Sequence, residues 1–117
     1  MDGSLVSKVK KPWGHYTVLY EDFPKMKVKE LYVEPNKELS LQKHSNRSEH
    51  WTVICGEPTV ALGSDQDFLG YIKPKIHEHI EIPVGHWHQL SNQTDYLVKI
   101  LEIQYGSSCE EEDIERI

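Results

Sequence analysis

Apolar and polar positions alternate with a period of two in one short segment after another, and each segment ends in turn-forming residues. Successive side chains of a strand point to opposite faces, so this pattern predicts strands. In 26–33, Lys27, Lys29, Leu31 and Val33 share one face, while Val28, Glu30 and Tyr32 share the other. The same reading predicts strands over 15–20, 39–42 (ending at His44), 48–55, 59–62, 68–73, 76–82, 86–91 and 96–104. In 76–82, Ile76, Glu78, Ile80 and Ile82 fall on one side, and His77, His79 and Glu81 on the other. Turns are expected at Pro35-Asn36, Ser45-Asn46-Arg47, Gly56-Glu57-Pro58, Gly63 to Gln66, Pro83 to Gly85 and Asn92 to Asp95. The acidic tail is expected to hold one helical turn capped by Ser107 or Ser108. Nine short strands without crossover helices make an all-β sandwich or barrel and exclude a parallel α/β architecture.

A chain of 117 residues is expected to form one domain, with 1–10 flexible and 11–117 folded. A net charge of −6 argues against general binding to nucleic acid or to an acidic membrane, so cations for an anionic ligand must be gathered inside a pocket. Cys55 sits in an apolar strand and is expected to be a buried thiol; Cys109 lies in the polar tail. Two cysteines without a pairing motif make no disulfide framework and point to a reducing compartment. The opening MDGSLVSKVKK lacks the apolar segment of a secretory signal, and no apolar run reaches membrane-spanning length. A cytoplasmic location is the expectation.

The chemistry concentrates in two stretches. In the first, QKHSNRSEHWTVICG (42–56), Gln42 and His44 share a strand face, and Glu49 shares the face of Trp51, Val53 and Cys55. In the second, Pro83 and Gly85 turn the chain and deliver His88 to a strand start. Converging inside a barrel, Gln42, His44, Glu49 and His88 make a four-ligand site. Imidazole, carboxylate and amide oxygen together suit one divalent ion: zinc first, with manganese, cobalt, iron or nickel as alternatives. His50 is expected to face away, His77 and His79 to face solvent, and Trp13, Trp51 and Trp87 to serve packing.

These stretches resemble the two cupin motifs: Asn36-x5-Gln42-x-His44-x4-Glu49-x6-Gly56, then Pro83-x-Gly85-x2-His88-x3-Asn92. The run Leu39-Ser40-Leu41-Gln42-x-His44, with Arg47-x-Glu49-His50-Trp51, resembles the cupin domain of type II mannose-6-phosphate isomerases, often fused behind a mannose-1-phosphate guanylyltransferase domain. Lys11-Pro12-Trp13-Gly14-His15-Tyr16, Lys27-x-Lys29-x-Leu31-x-Val33-x-Pro35, Ile103-Gln104-x-Gly106 and Glu112-Asp113-Ile114-x-Arg116 extend the likeness over 11–117. The departures are Asn36 for a glycine, Gln42 for the first motif histidine, Ser45 and Asn46 for histidines beside His44, and Gln89 for the arginine that usually follows the metal histidine.

The resemblance implies a small cupin, a double-stranded β-helix or jelly-roll barrel, acting on a sugar phosphate and pairing as a homodimer. It implies interconversion of mannose 6-phosphate and fructose 6-phosphate. Proton transfer would fall to His86, Lys29, Lys99 or Glu102, and phosphate binding to Arg47, Lys27 or Lys29. The alternatives are another metal-dependent cupin enzyme (dioxygenase, lyase or epimerase) and a non-enzymatic sugar- or metal-binding cupin.

Overall fold

The computed structural model describes residues 7–117. Among these residues the chain forms twelve strands and no helix. They are β1 (Ser7–Lys11), β2 (Gly14–Asp22), β3 (Met26–Val33), β4 (Lys37–Glu38), β5 (Gln42–Lys43), β6 (Arg47–Cys55), β7 (Thr59–Gly63), β8 (Gly70–Ile72), β9 (His79–Ile82), β10 (Trp87–Asn92), β11 (Val98–Gly106) and β12 (Glu115–Arg116). One sheet runs β1-β2-β3-β11-β6-β9; the other runs β12-β5-β10-β7-β8, with β4 also pairing with β10. The expected all-β barrel is present. No helix among the described residues is long and apolar enough to cross a membrane.

Register explains how one barrel has two different ends. Side chains directly opposite in an antiparallel pair lie on the same face, so the inner face of the larger sheet reads as rows. One row joins Val33 to Val98, and the next joins Tyr16, Leu31, Ile100 and Val53. Across the barrel, Val60 and Leu90 complete the apolar cluster. The following row is Lys29, Glu102, Trp51 and Ile80, and the one after it is Lys27, Gln104, Glu49 and Ile82. Burial of the first rows holds the fold, at about 1.5–3 kcal/mol per fully buried aliphatic side chain. The later rows exchange that gain for charge, yet stay inside the barrel.

Several expectations change at the segment ends. Ser7–Lys11, within the segment expected to be flexible up to residue 10, pairs with β2 as an edge strand; residues 1–6 lie outside the described residues. Most of the 39–42 run is not a strand: residues 39–41 connect β4 to β5, only Gln42 falls in β5, and the Leu39 N–H donates to the Leu90 carbonyl outside a continuous ladder. The 76–82 run begins only at His79. His77 takes φ 69° and Glu78 N–H donates to the Lys75 carbonyl, so the chain turns there and Ile76 is left 52% exposed. The tail makes one i→i+3 turn, Asp113 N–H to Glu110 carbonyl, and then a strand rather than a helical turn. Cys55 is half-buried and Cys109 fully buried, the reverse of the polarity of their segments; both thiols are free.

Gly56 closes β6 at φ 87°, where a Cβ would overlap the Leu97 carbonyl oxygen and lie 2.9 Å from Val98 Cα. Gly85 has φ 78° with open space around the same position. Urea unfolding is expected to show a loss of about 3 kcal/mol for Gly56→Ala, from left-handed strain plus overpacking, against about 1 kcal/mol for Gly85→Ala. Equal losses would show that the Leu97 contact contributes nothing.

Candidate functional site

The two polar rows face β5 and β10 across a cavity of about 460 Å³. His88 is the second residue of β10, and its Cα is paired with that of Gln42 on β5, so the two side chains share the inner face. His44 follows β5, and Glu49 enters from β6. One ligand atom from each of His44, Glu49 and His88 lies within 4.8 Å of the others, and all three side chains are buried.

Both imidazoles are oriented the same way. His44 Nδ1 lies 2.6 Å from the Asp113 carbonyl, and His88 Nδ1 lies 3.0 Å from the His86 carbonyl. A carbonyl oxygen only accepts, so each Nδ1 carries a proton, which makes Nε2 the ring atom open to an ion. These Nε2 atoms stand 3.1 and 3.8 Å from the two oxygens of Glu49. A histidine whose other nitrogen is tied to a carbonyl has the arrangement of a metal ligand. The Gln42 amide N–H groups donate to the carbonyl and hydroxyl of Ser40, which leaves the amide oxygen as the atom that can ligate an ion. The residues therefore fit a divalent ion.

Charge in the cavity is tightly matched. Glu49 Oε2 accepts from Arg47 Nε at 3.0 Å and lies 3.0 Å from Arg47 Nη2, while Glu49 Oε1 accepts from the Trp51 indole at 3.0 Å. Burial opposes ionisation of Glu49, but His44, His88 and Arg47 together hold its carboxyl well below the usual range. Burial also pushes the His88 imidazole down, against the attraction of Glu49. Glu102 differs. Burial and then the Glu49 charge push it up to about 8, with Lys29 opposing. Its oxygens accept from Trp51 Nε1 at 3.1 Å and from Gln104 Nε2 at 2.6 Å. Gln104 Oε1 is buried with no hydrogen-bond partner, and Gln104 lines the cavity.

Residues 3–117 match the protein family described as "Mannose-6-phosphate isomerase C-terminal". The chain belongs to that family. The mannose-1-phosphate guanylyltransferase of Escherichia coli K12 is 35% identical over 109 residues, which are 93% of this chain and 22% of that protein. The chain thus spans about a fifth of the length of the curated relatives it matches. Among solved structures, the capsular polysaccharide assembling protein CapF of Staphylococcus aureus superposes with a TM-score of 0.83 at 16% identity, over 96% of this chain and 34% of that one. A cupin-2 domain from Rhodospirillum rubrum gives 0.74 at 15% identity, over 92% and 78%. At such identities the likeness is one of fold, and the fold is the cupin barrel.

Within this cupin, Gln42, His44, Glu49, His88, Arg47, Lys29 and Glu102 come together at one cavity. Two proton-transfer candidates do not. Lys99 is on the outer face, 3.7 Å from Glu30 and 4.7 Å from the Tyr32 ring centre. His86 precedes β10 in a turn, so strand alternation does not carry it into the cavity with His88; its carbonyl, not its ring, meets His88. The cations expected to hold phosphate are each paired with acids: Lys27 and Lys29 with Glu111 at 3.0 and 2.7 Å, and Arg47 with Glu49. Gln89 projects away from the cavity and donates to the Leu39 carbonyl at 2.9 Å. His50 also faces outward, with its ring against that of His79 at 4.9 Å.

The tail supplies what the sequence reading missed. Beyond the Asp113 carbonyl, the Asp113 carboxylate accepts from the N–H groups of Ser45 and Asn46. An acidic run at a chain end reads as solvated, and nothing local marks Glu111 or Asp113 as partners of residues about seventy or eighty positions away. Trp51 was legible, because it alternates with Glu49 on one face; its indole N–H makes it more than packing.

Glu111 is half-exposed. Burial opposes ionisation, but Lys29 and Lys27 hold it down to about 2. A carboxyl held below its ordinary value of 4.5 stabilises the fold above that pH, and the gain is lost as pH falls toward about 2. The stability difference between wild type and Glu111→Gln, from urea midpoints, is therefore expected to be about 1 kcal/mol above pH 4.5 after solvent screening, and to close toward pH 2. A difference independent of pH would show that the carboxylate charge is not what holds the tail.

Proposed function

We propose that this cupin is a metal-dependent hexose-phosphate isomerase that interconverts mannose 6-phosphate and fructose 6-phosphate. One observation carries the reading. A second buried carboxylate, Glu102, shares the Trp51 indole N–H with the ligand carboxylate Glu49, in the same cavity. Aldose–ketose isomerisation needs charge stabilisation at the sugar oxygens and, beside it, a group that moves a proton between adjacent carbons. A divalent ion held by Gln42, His44, Glu49 and His88 supplies Lewis-acid stabilisation of that developing charge. Family membership supports the reading, as do relatives named for mannose-1-phosphate chemistry.

The chain's own residues take the other roles. Arg47 holds the Glu49 carboxylate and lies 3.2 Å from His44 Nε2, which keeps two ligand side chains in place. Glu102 is the proton-transfer group; Trp51 and Gln104 each donate to one of its oxygens and fix the carboxylate plane. Lys29, its register neighbour, lies 4.1 Å from the Tyr16 ring centre and balances the charge of that row. The unpartnered Gln104 Oε1 accepts a sugar hydroxyl, which removes the energetic penalty of a buried bare acceptor.

Metal-stripped protein is expected to recover conversion of mannose 6-phosphate when one divalent ion is restored. His88→Ala and Gln42→Ala should lose both metal and turnover. Glu102→Gln should keep the metal and lose about a hundredfold or more in kcat. Metal-loaded protein that turns over no hexose phosphate would overturn the reading and leave a sugar- or metal-binding role.

A further inference from the structure

The cations deepest in the barrel are already committed. Arg47 is 5% exposed and bound to Glu49; withdrawing it toward a ligand would strand a buried carboxylate. Lys27 and Lys29 share one Glu111 oxygen, and Lys27 also lies 3.4 Å from Glu21. Two other cations line the same cavity, Lys11 and Arg116. Among the described residues neither has a carboxylate within 4.0 Å.

Register carries Arg116 to the cavity rim, and Lys11 lines the same cavity from the other wall. Arg116 on β12 pairs with Gln42 on β5, which pairs with His88 on β10. The three share one face, and two strand spacings put the Cα atoms of Arg116 and His88 about 10 Å apart. Lys11 comes from the opposite sheet, where register sets it on the inner face in the apolar row of Gly14, Val33 and Val98, and its ammonium lies 6.0 Å from the ring centre of Tyr16, which also lines the cavity. Arg116 Nε donates to Ser40 Oγ at 3.2 Å, which steadies the guanidinium and leaves its terminal nitrogens to a ligand. The acids that also line this cavity outside the metal end are Glu38, exposed at the rim, and Glu111, paired with the lysines.

We infer that Lys11, Arg116 and Ser40 form an anion subsite that takes the phosphate of a sugar phosphate whose opposite end lies at the His44–Glu49–His88 cluster. The orientation of the sugar rests on the isomerase reading; the subsite rests on two cations that line one cavity from opposite sheets without a carboxylate partner among the described residues. A guanidinium fork and an ammonium from opposite walls match the several oxygens of a phosphate, and a neutral sugar has no group to use them.

The test is calorimetric binding of fructose 6-phosphate and of fructose to the metal-loaded protein at low and high salt, for wild type, Lys11→Gln, Arg116→Lys, Arg116→Gln and the double Lys11→Gln/Arg116→Gln variant. Metal content and thermal unfolding report on the fold of each. The double variant is expected to lose about tenfold or more in affinity for fructose 6-phosphate, to lose most of its salt dependence, and to keep its metal and its affinity for fructose. Arg116→Lys should fall between wild type and Arg116→Gln, since it keeps the charge and loses the fork. A double variant that binds fructose 6-phosphate as wild type does overturns the subsite. So does a wild type that binds it no more tightly than fructose. Preferential binding that the double variant loses, in a protein without turnover, would overturn the isomerase reading and leave the subsite standing.

Discussion

Glu49 carries a carboxylate into a space almost closed to water, and a charge so placed must be matched where it lies. Arg47 meets it from the same strand, Trp51 donates to its other oxygen, and two histidines turn their Nε2 atoms toward it. Each of these partners is held in turn. The Asp113 carbonyl fixes His44, the His86 carbonyl fixes His88, and the Glu110 carbonyl accepts from Arg47. The tail is therefore part of the site. Without it, the His44 tautomer and one arm of Arg47 lose their partners.

The barrel accommodates this cluster by dividing its labour along the strands. Toward one end the inner rows are Val33, Val98, Leu31, Ile100 and Val53, with Val60 and Leu90 from the other sheet. Toward the other end the same strands present Lys29, Glu102, Lys27, Gln104 and Glu49. A buried polar network is tolerable only when its members are satisfied. Here nearly all of them are, and the exception, Gln104 Oε1, faces the cavity in which a ligand would lie.

Two carboxylates served by one indole N–H are driven apart by their surroundings. Glu49 is surrounded by cationic and hydrogen-bonding partners, while Glu102 faces the Glu49 charge from a desolvated position. Such a split lets one site keep an ionised carboxylate beside one that holds its proton more readily. The fold itself, shared with proteins of about 15% identity, is neutral on that point. The wall residues contributed by β3, β6 and β11 make the difference.

Strand alternation and the two motifs were enough to place Gln42, His44, Glu49 and His88 on inner faces, to put Trp51 beside Glu49, and to specify an all-β barrel. Those features depend on neighbours a few residues apart, and a period of two is written directly in the sequence. The pattern failed where a backbone conformation interrupts it, as at His77, and where a residue lies just outside its strand, as at His86. It also could not assign charge partners. Lys27 and Lys29 share a strand face as if available for a ligand, but Glu111, more than eighty residues away, lies between them, while Lys11 and Arg116 line the cavity from opposite sheets. Periodicity decides which face a side chain occupies. Only the closed barrel decides which strands become neighbours, and Coulomb interactions depend on that distance through space rather than along the chain.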